Sequence, residues 1–173
     1  HHGAMRTQAM ERCHSPYILY LDSDETFTSD MRDWLLSGAY RDYGLIYFYK
    51  YTTILDRFHY VDGGNGHTQR MFRNHPGANF PQEIHTEPAS PQGWGTSISL
   101  NESQPLLFDH TACKSREALW AKGWRYQAAA RHNVPAIGSS MEYIYRVDNA
   151  LGPRSDLIRE FPNSIKNRIF TGP

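Results

Sequence analysis

Three acids, Asp22, Asp24 and Glu25, fall within four residues directly after the apolar run Tyr17-Ile18-Leu19-Tyr20-Leu21. Two carboxylates at this spacing can turn onto one divalent ion if the chain bends after Leu21. Hard oxygen ligands suit Mg2+ or Mn2+, which keep some waters and bind substrate phosphates alongside. A surface turn with solvated acids is the commoner origin of D-x-D, but an apolar strand directly before it shifts the balance towards a site. His110 ends a second apolar run, Leu107-Phe108-Asp109-His110, and a neutral imidazole there would add a ligand. Ile84-His85-Thr86-Glu87 sets a histidine beside a carboxylate, and either can serve as a general base. Arg70 and Arg73 lie three apart, so on a strand they point to opposite faces and only one can reach a given pocket. Each reads equally as a phosphate clamp or a strand-edge salt bridge. Lys114, Arg116, Lys122 and Arg125 sit in or just before a helical stretch. They suit phosphate oxygens, although a solvated helix face is the ordinary role, for Lys122 above all.

The elements that must position these groups follow from pattern. Tyr17 to Leu21 predicts a strand covered on both faces, as inside α/β sheets, with the acids at its carboxyl end, the edge where open α/β sheets bind ligands. Arg6 to Cys13 predicts the end of a helix. Thr28 or Ser29 is set to cap a helix with Met31, Trp34 and Leu35 on its apolar side and Gly38 at its close. Tyr43 to Leu55 reads as a long strand, Asp56 to His67 as a glycine-rich loop, and Thr68 to Arg73 as an antiparallel return. Asn79 to Glu87 reads as short and extended, Ser97 to Leu100 and Leu106 to His110 as short strands. From Ser115 the period becomes helical, with Leu119, Trp120 and Trp124 on one face, Trp124 in the core, and Pro135 as the stop. Met141 to Leu151 predicts another helix, and residues 152–173 a tail docked on the domain of residues 6–151. His1 to Met5 reads as the remnant of a purification tag, outside the fold.

Composition narrows the function classes. The 173 residues are 39% hydrophobic and carry no formal net charge, enough for one core and without the electrostatic footprint of a nucleic-acid binder. No stretch approaches the roughly 18 apolar residues of a membrane span and no signal peptide opens the chain, so a soluble, cytoplasmic protein is expected. Cys13 and Cys113 lack metal or redox spacing and are expected as reduced thiols.

Two resemblances follow. The strand with Asp22-x-Asp24-x-Thr26 resembles the first motif of haloacid-dehalogenase-like phosphatases, which implies Asp22 as a phosphorylated nucleophile; that match ends at one motif. The order YILYLDSDE (17–25), QRMFRN (69–74), FPQEIH (80–85) and FDH (108–110), then a Lys/Arg-bearing helix, resembles the family 2 glycosyltransferases over about residues 6–132. The implied fold is GT-A-like, an α/β mixed sheet flanked by helices, or only its C-terminal, acceptor-side half. The half that cradles the nucleoside would precede Arg6: either another segment or subunit supplies it, or the chain is a reduced relative that binds nucleotide poorly. The implied activity is inverting transfer of a sugar from a UDP- or GDP-sugar to a glycan, protein or small-molecule hydroxyl. The resemblance further implies Asp22, Asp24 and His110 as ligands of Mn2+ or Mg2+, and Asp22, Arg70, Arg73, Lys114 and Arg116 towards the diphosphate. The family's glutamate after the histidine is Thr86 here, so the base stays open among Glu87, His85 and Glu83. A non-catalytic binding module with the same fold is the remaining alternative.

Overall fold

The computed structural model describes residues 2–81, 87–129 and 137–169, with side chains at 3–81, 87–125 and 144–169. Its organising element is β3 (Leu45–Ile54), LIYFYKYTTI, whose aromatic and β-branched residues suit a pleated, packed surface. Each edge of β3 serves two partners. On one edge β5 (Gly66–Arg73) runs antiparallel along Leu45 to Lys50, and β4 (His59–Val61) takes over at Thr53. On the other, β6 (Ser97–Ser99) pairs in parallel with Leu45 to Tyr47, and β7 (Leu107–Ala112) with Lys50 to Ile54. Antiparallel strands extend the sheet outward: β1 (Tyr17–Leu19) beside β5, β2 (Glu25–Phe27) beside β7, and β8 (Ile158–Glu160) beside β4. The product is one mixed eight-stranded sheet flanked by helices.

Alternation along β3 sends side chains to both faces, and both are covered. Ile46 and Phe48 pack with Met71, Leu100 and Leu107 against α2 (Met31–Ser37), which adds Met31, Trp34 and Leu35. Leu45 meets Ile18, Phe72, Phe80 and Met10 of α1 (His2–Glu11). Farther along, Ile54 joins Leu119 of α3 (Arg116–Ala129) and Ile144 and Val147 of α4 (Ile137–Ala150). Tyr51 packs with Phe108, Phe161, Ile165 and Ile169, the last three contributed by the chain after β8, in and around α5 (Asn163–Lys166).

Several expectations change. The strand buried on both faces is β3, not Tyr17 to Leu21. β1 is three residues long and flanks the sheet, leaving Leu19 and Leu21 38% and 44% exposed. An apolar run reports composition, whereas the place in the sheet depends on which strands find partners. The first helix starts at His2, so residues 2–5 form its first turn. Asp30, not Thr28 or Ser29, precedes α2, because the Thr28 hydroxyl accepts the Leu106 N–H at 2.9 Å. The glycine-rich loop contains β4. Residues after Gly152 are integral: β8 completes the sheet, and Phe161 is 2% exposed. Trp124 is 60% exposed, outside the core, because Leu119 and Trp120 already fill the face of α3 that meets α4. Pro135 lies outside the described residues. Among those residues, no helix is long and apolar enough to cross a membrane.

Two backbone positions are informative. A Cβ on Gly44 would fall 1.5 Å from the Trp94 carbonyl oxygen, so the strand entry and the loop before β6 touch backbone to backbone. Leu55, just past β3, has φ of 64°, the left-handed region that suits glycine. Gly44→Ala is expected to cost about 3 kcal/mol, at the upper end of overpacking. Leu55→Gly should stay within about 1 kcal/mol of the parent, since relief of the strained φ offsets the added chain entropy. Urea denaturation of both variants measures the contrast.

Candidate functional site

Asp22 to Glu25 form a tight reverse turn between β1 and β2. The Glu25 N–H donates to the Asp22 carbonyl at 3.0 Å, and the Asp22 N–H donates to Glu25 Oε2 at 3.1 Å. The bend that two carboxylates require after Leu21 is therefore present, as a turn linking two strands that pair with different neighbours and not as the end of a parallel strand. β2 then pairs with β7, placing Glu25 opposite Asp109, and the His110 N–H donates to the Asp24 carbonyl at 2.7 Å. The acidic turn and the histidine that ended the second apolar run thus share one rim of the sheet.

On the Asp22 side the dominant group is Arg70 of β5. Its guanidinium grips Glu25 through two bonds, Nε to Oε2 at 2.7 Å and Nη2 to Oε1 at 2.5 Å, and reaches Asp22 Oδ2 at 3.2 Å. It also donates to the Gln69 carbonyl and the Tyr20 hydroxyl. The Glu25 side chain is only 3% exposed, so this is a buried pair with fork geometry. Burial works against the Arg70 charge, but the Glu25 bonds and charge outweigh it and raise its pKa above the ordinary value. Arg6 of α1 pairs with the other Asp22 oxygen, and Arg6 and Arg70 both lie over the Tyr20 ring. Burial raises the Tyr20 pKa, against the two arginines, and the Glu87 charge also reaches this phenol. Glu87 is exposed.

On the other side, Asp24 Oδ2 accepts from Lys114 Nζ at 2.9 Å, Lys122 Nζ at 3.3 Å and Thr111 Oγ1 at 2.9 Å. Burial pushes the Asp24 pKa up. The hydrogen bond from Lys114, the charge of Lys122 and the Thr111 hydroxyl overcome it and hold the carboxyl well below its usual range. His110 is bracketed by two hydroxyls, Thr26 Oγ1 at 2.7 Å from Nε2 and Thr53 Oγ1 at 2.8 Å from Nδ1. Burial lowers its pKa, with Arg57 acting the same way and Asp109 and Asp24 opposing, so the ring is neutral at pH 7. A neutral imidazole can accept a proton or ligate a metal.

The structure thus brings Asp22, Asp24, His110, Arg70 and Lys114 to one region. Arg73 and Arg116 make their contacts elsewhere. Arg73 donates to the Tyr17 hydroxyl and the Arg41 carbonyl on the opposite face of β5, as three-residue spacing on a strand requires. Arg116 pairs with Asp148 across the α3–α4 interface. Glu83 and His85 lie outside the described residues. Arg6 and Thr111 were not singled out as site groups, while Glu25 was noted only as the third acid of the run and Lys122 mainly as a solvated helix charge. Lys122 carried a usable signal, three residues after the buried anchor Leu119, which puts it beside the packed face of α3.

Among the described residues, no group of three or more His, Cys, Asp or Glu surrounds a common point suited to a metal. Both Asp22 oxygens face arginines, and Asp24 Oδ2 faces two lysines.

Arg70→Met should cost about 3–5 kcal/mol by leaving the Glu25 charge buried and unpaired. Adding Glu25→Met should recover most of that, read by denaturant midpoint. Asp24 has a folded-state pKa below its unfolded value, so its stabilisation is complete above about pH 4 and is lost as pH falls towards the folded pKa. Asp24→Asn should therefore flatten the fall in melting temperature below about pH 4. A scan of the chain against protein-family models and a search among curated proteins found no match.

Proposed function

We propose that this chain belongs to a metal-dependent glycosyltransferase of GT-A-like fold, transferring a sugar from a nucleoside-diphosphate donor to an acceptor hydroxyl. The observation that carries this reading is convergence. The D-x-D turn, the FDH strand and the lysines that follow it, far apart in sequence, share one rim through the β2–β7 pairing. Their order along the chain is that of the glycosyltransferase motifs.

In this reading Asp24 and Asp22 hold the cation, with His110 on the flank as a neutral ligand. Mn2+ or Mg2+, when bound, supplies charge that stabilises a departing diphosphate. Lys114 and Lys122 stand beside Asp24, placed to neutralise phosphate oxygens. Arg70 acts one step back. Tied to Glu25, it fixes the turn and with it the direction of Asp22. Glu87 serves as the base in this reading, taking the proton of the acceptor hydroxyl as that oxygen attacks the anomeric carbon. The donor is a UDP- or GDP-sugar and the outcome inversion, both on the strength of the motif resemblance.

Calorimetric titration with uridine and guanosine diphosphates tests the reading. Binding of one of them should require Mn2+ and disappear in Asp24→Ala, with the fold intact by circular dichroism. Absence of nucleotide binding in the presence of metal overturns the reading. Mg2+-dependent hydrolysis of p-nitrophenyl phosphate lost in Asp22→Asn would overturn it in favour of phosphoryl transfer at Asp22.

A further inference from the structure

His110 is held at both ring nitrogens, and the two ends differ in kind. The Nδ1 end is buried: Thr53, 0% exposed, places its Oγ1 2.8 Å from that nitrogen. The Nε2 end is open, with Thr26 Oγ1 2.7 Å away on an exposed residue of β2. A threonine hydroxyl has one hydrogen to give, and that of Thr53 has three acceptors within reach: the Asp109 carbonyl at 3.2 Å, Cys113 Sγ at 3.3 Å and His110 Nδ1. The carbonyl can only accept. Cys113 directs its own S–H at the Asp56 carbonyl, 3.5 Å away, which leaves its sulfur as an acceptor towards Thr53. When Thr53 donates to the Asp109 carbonyl, Nδ1 must carry the ring proton and donate it to Thr53 Oγ1, and the Nε2 lone pair accepts from the Thr26 hydroxyl. Three bonds form. When Thr53 instead donates to Nδ1, the ring proton sits on Nε2 and goes to Thr26 Oγ1, the bond from Thr53 to Asp109 is lost, and two remain. The lost bond lies inside the protein, where water cannot replace it, so the fuller set prevails.

We propose that Thr53 is a positioning residue: it fixes His110 as the Nδ1–H tautomer and so presents the Nε2 electron pair at the open end, where the Thr26 hydroxyl occupies the place of a ligand. A ring held this way offers no N–H to an anion. Its lone pair repels phosphate and carboxylate oxygens and accepts hydroxyl or N–H donors, so His110 discriminates by the sense of the hydrogen bond as well as by shape. Thr53 touches no ligand itself. It acts through the ring, anchored on the carbonyl of the residue directly before the histidine, so that one strand carries both the imidazole and its brace. Which ligand uses the electron pair rests on the transferase reading, whereas the tautomer does not.

Nitrogen-15 NMR of the histidine rings reads the tautomer directly, because a protonated ring nitrogen and one bearing a lone pair resonate far apart. At about pH 8, above the ordinary imidazole value, the parent should show His110 with its proton on Nδ1 and the lone pair on Nε2. His110→Gln identifies the signals by their loss. Thr53→Val, which keeps the shape and removes the hydroxyl, should exchange the two nitrogen types, with the proton moving to Nε2 and donating to Thr26 Oγ1. Thr53→Ser should restore the parent pattern, and Thr26→Val should retain it, with water taking the open end. A Thr53 that merely packs beside the ring would leave the pattern unmoved in every variant. A parent spectrum with the proton on Nε2, or a folded Thr53→Val with the parent pattern, overturns the proposal. If Thr53→Val does not fold, the smaller Thr53→Ala carries the same expectation, and the parent spectrum decides between the tautomers whether or not either variant folds. A proton found on Nε2 leaves the transferase reading standing, and a failure of nucleotide to bind leaves the tautomer standing.

Discussion

Charge buried at the base of a turn is the constraint on which this molecule depends. Glu25 begins β2 with its carboxylate inside the protein, a position that is costly unless a cation with matching geometry faces it. Arg70 supplies that cation from β5, and in doing so ties three segments together: the strand that carries it, the phenol of Tyr20, and the turn that presents Asp22. The turn therefore has a defined shape because its own third acid is satisfied from below. Arg70, singled out by its sequence position as a phosphate contact, has its donors directed at protein acceptors and works as a strut.

A second constraint is strand register. β7 pairs in parallel with β3 and antiparallel with β2, so its position is fixed from both edges. Side chains alternate along it, which sends Asp109 towards Lys50 and His110 towards Thr26 and Thr53. A slip of one residue would exchange those two faces, pointing the carboxylate at the hydroxyls and the imidazole at the lysine. The parallel neighbour matters because β3 is long enough to hold β6 and β7 end to end along one edge.

Much of this was legible in the residues. The density of aromatic and β-branched side chains in residues 45–54 announced a long strand, Gly38 announced the end of α2, and the antiparallel return through Arg73 followed from pattern. The acidic turn and His110 stood out because both follow apolar runs. What pattern did not carry was pairing. Nothing in Tyr17 to Leu21 says that it flanks the sheet, and nothing in the polar stretch 158–160 says that it becomes β8. Strand partners are chosen by contacts distant in sequence, which local periodicity does not encode. Site groups that act through a partner were hidden for the same reason. Arg6 and Lys122 look like ordinary solvated helix charges until the helices are docked and their heads meet Asp22 and Asp24.

The residues around 165–169 sit against the segment just downstream of the acidic turn. Ile169 forms a bridge with Thr28, the Arg168 carbonyl accepts the Ser29 N–H, and the Arg168 guanidinium pairs with Asp30. During synthesis, a nascent chain emerging from the ribosome would expose the turn long before residues 165–169 have cleared the exit tunnel. Until then Phe108 and Tyr51 lack the apolar cover of Phe161 and Ile165. That interval is when a chaperone holding exposed aromatic surface would matter most to the yield of folded protein.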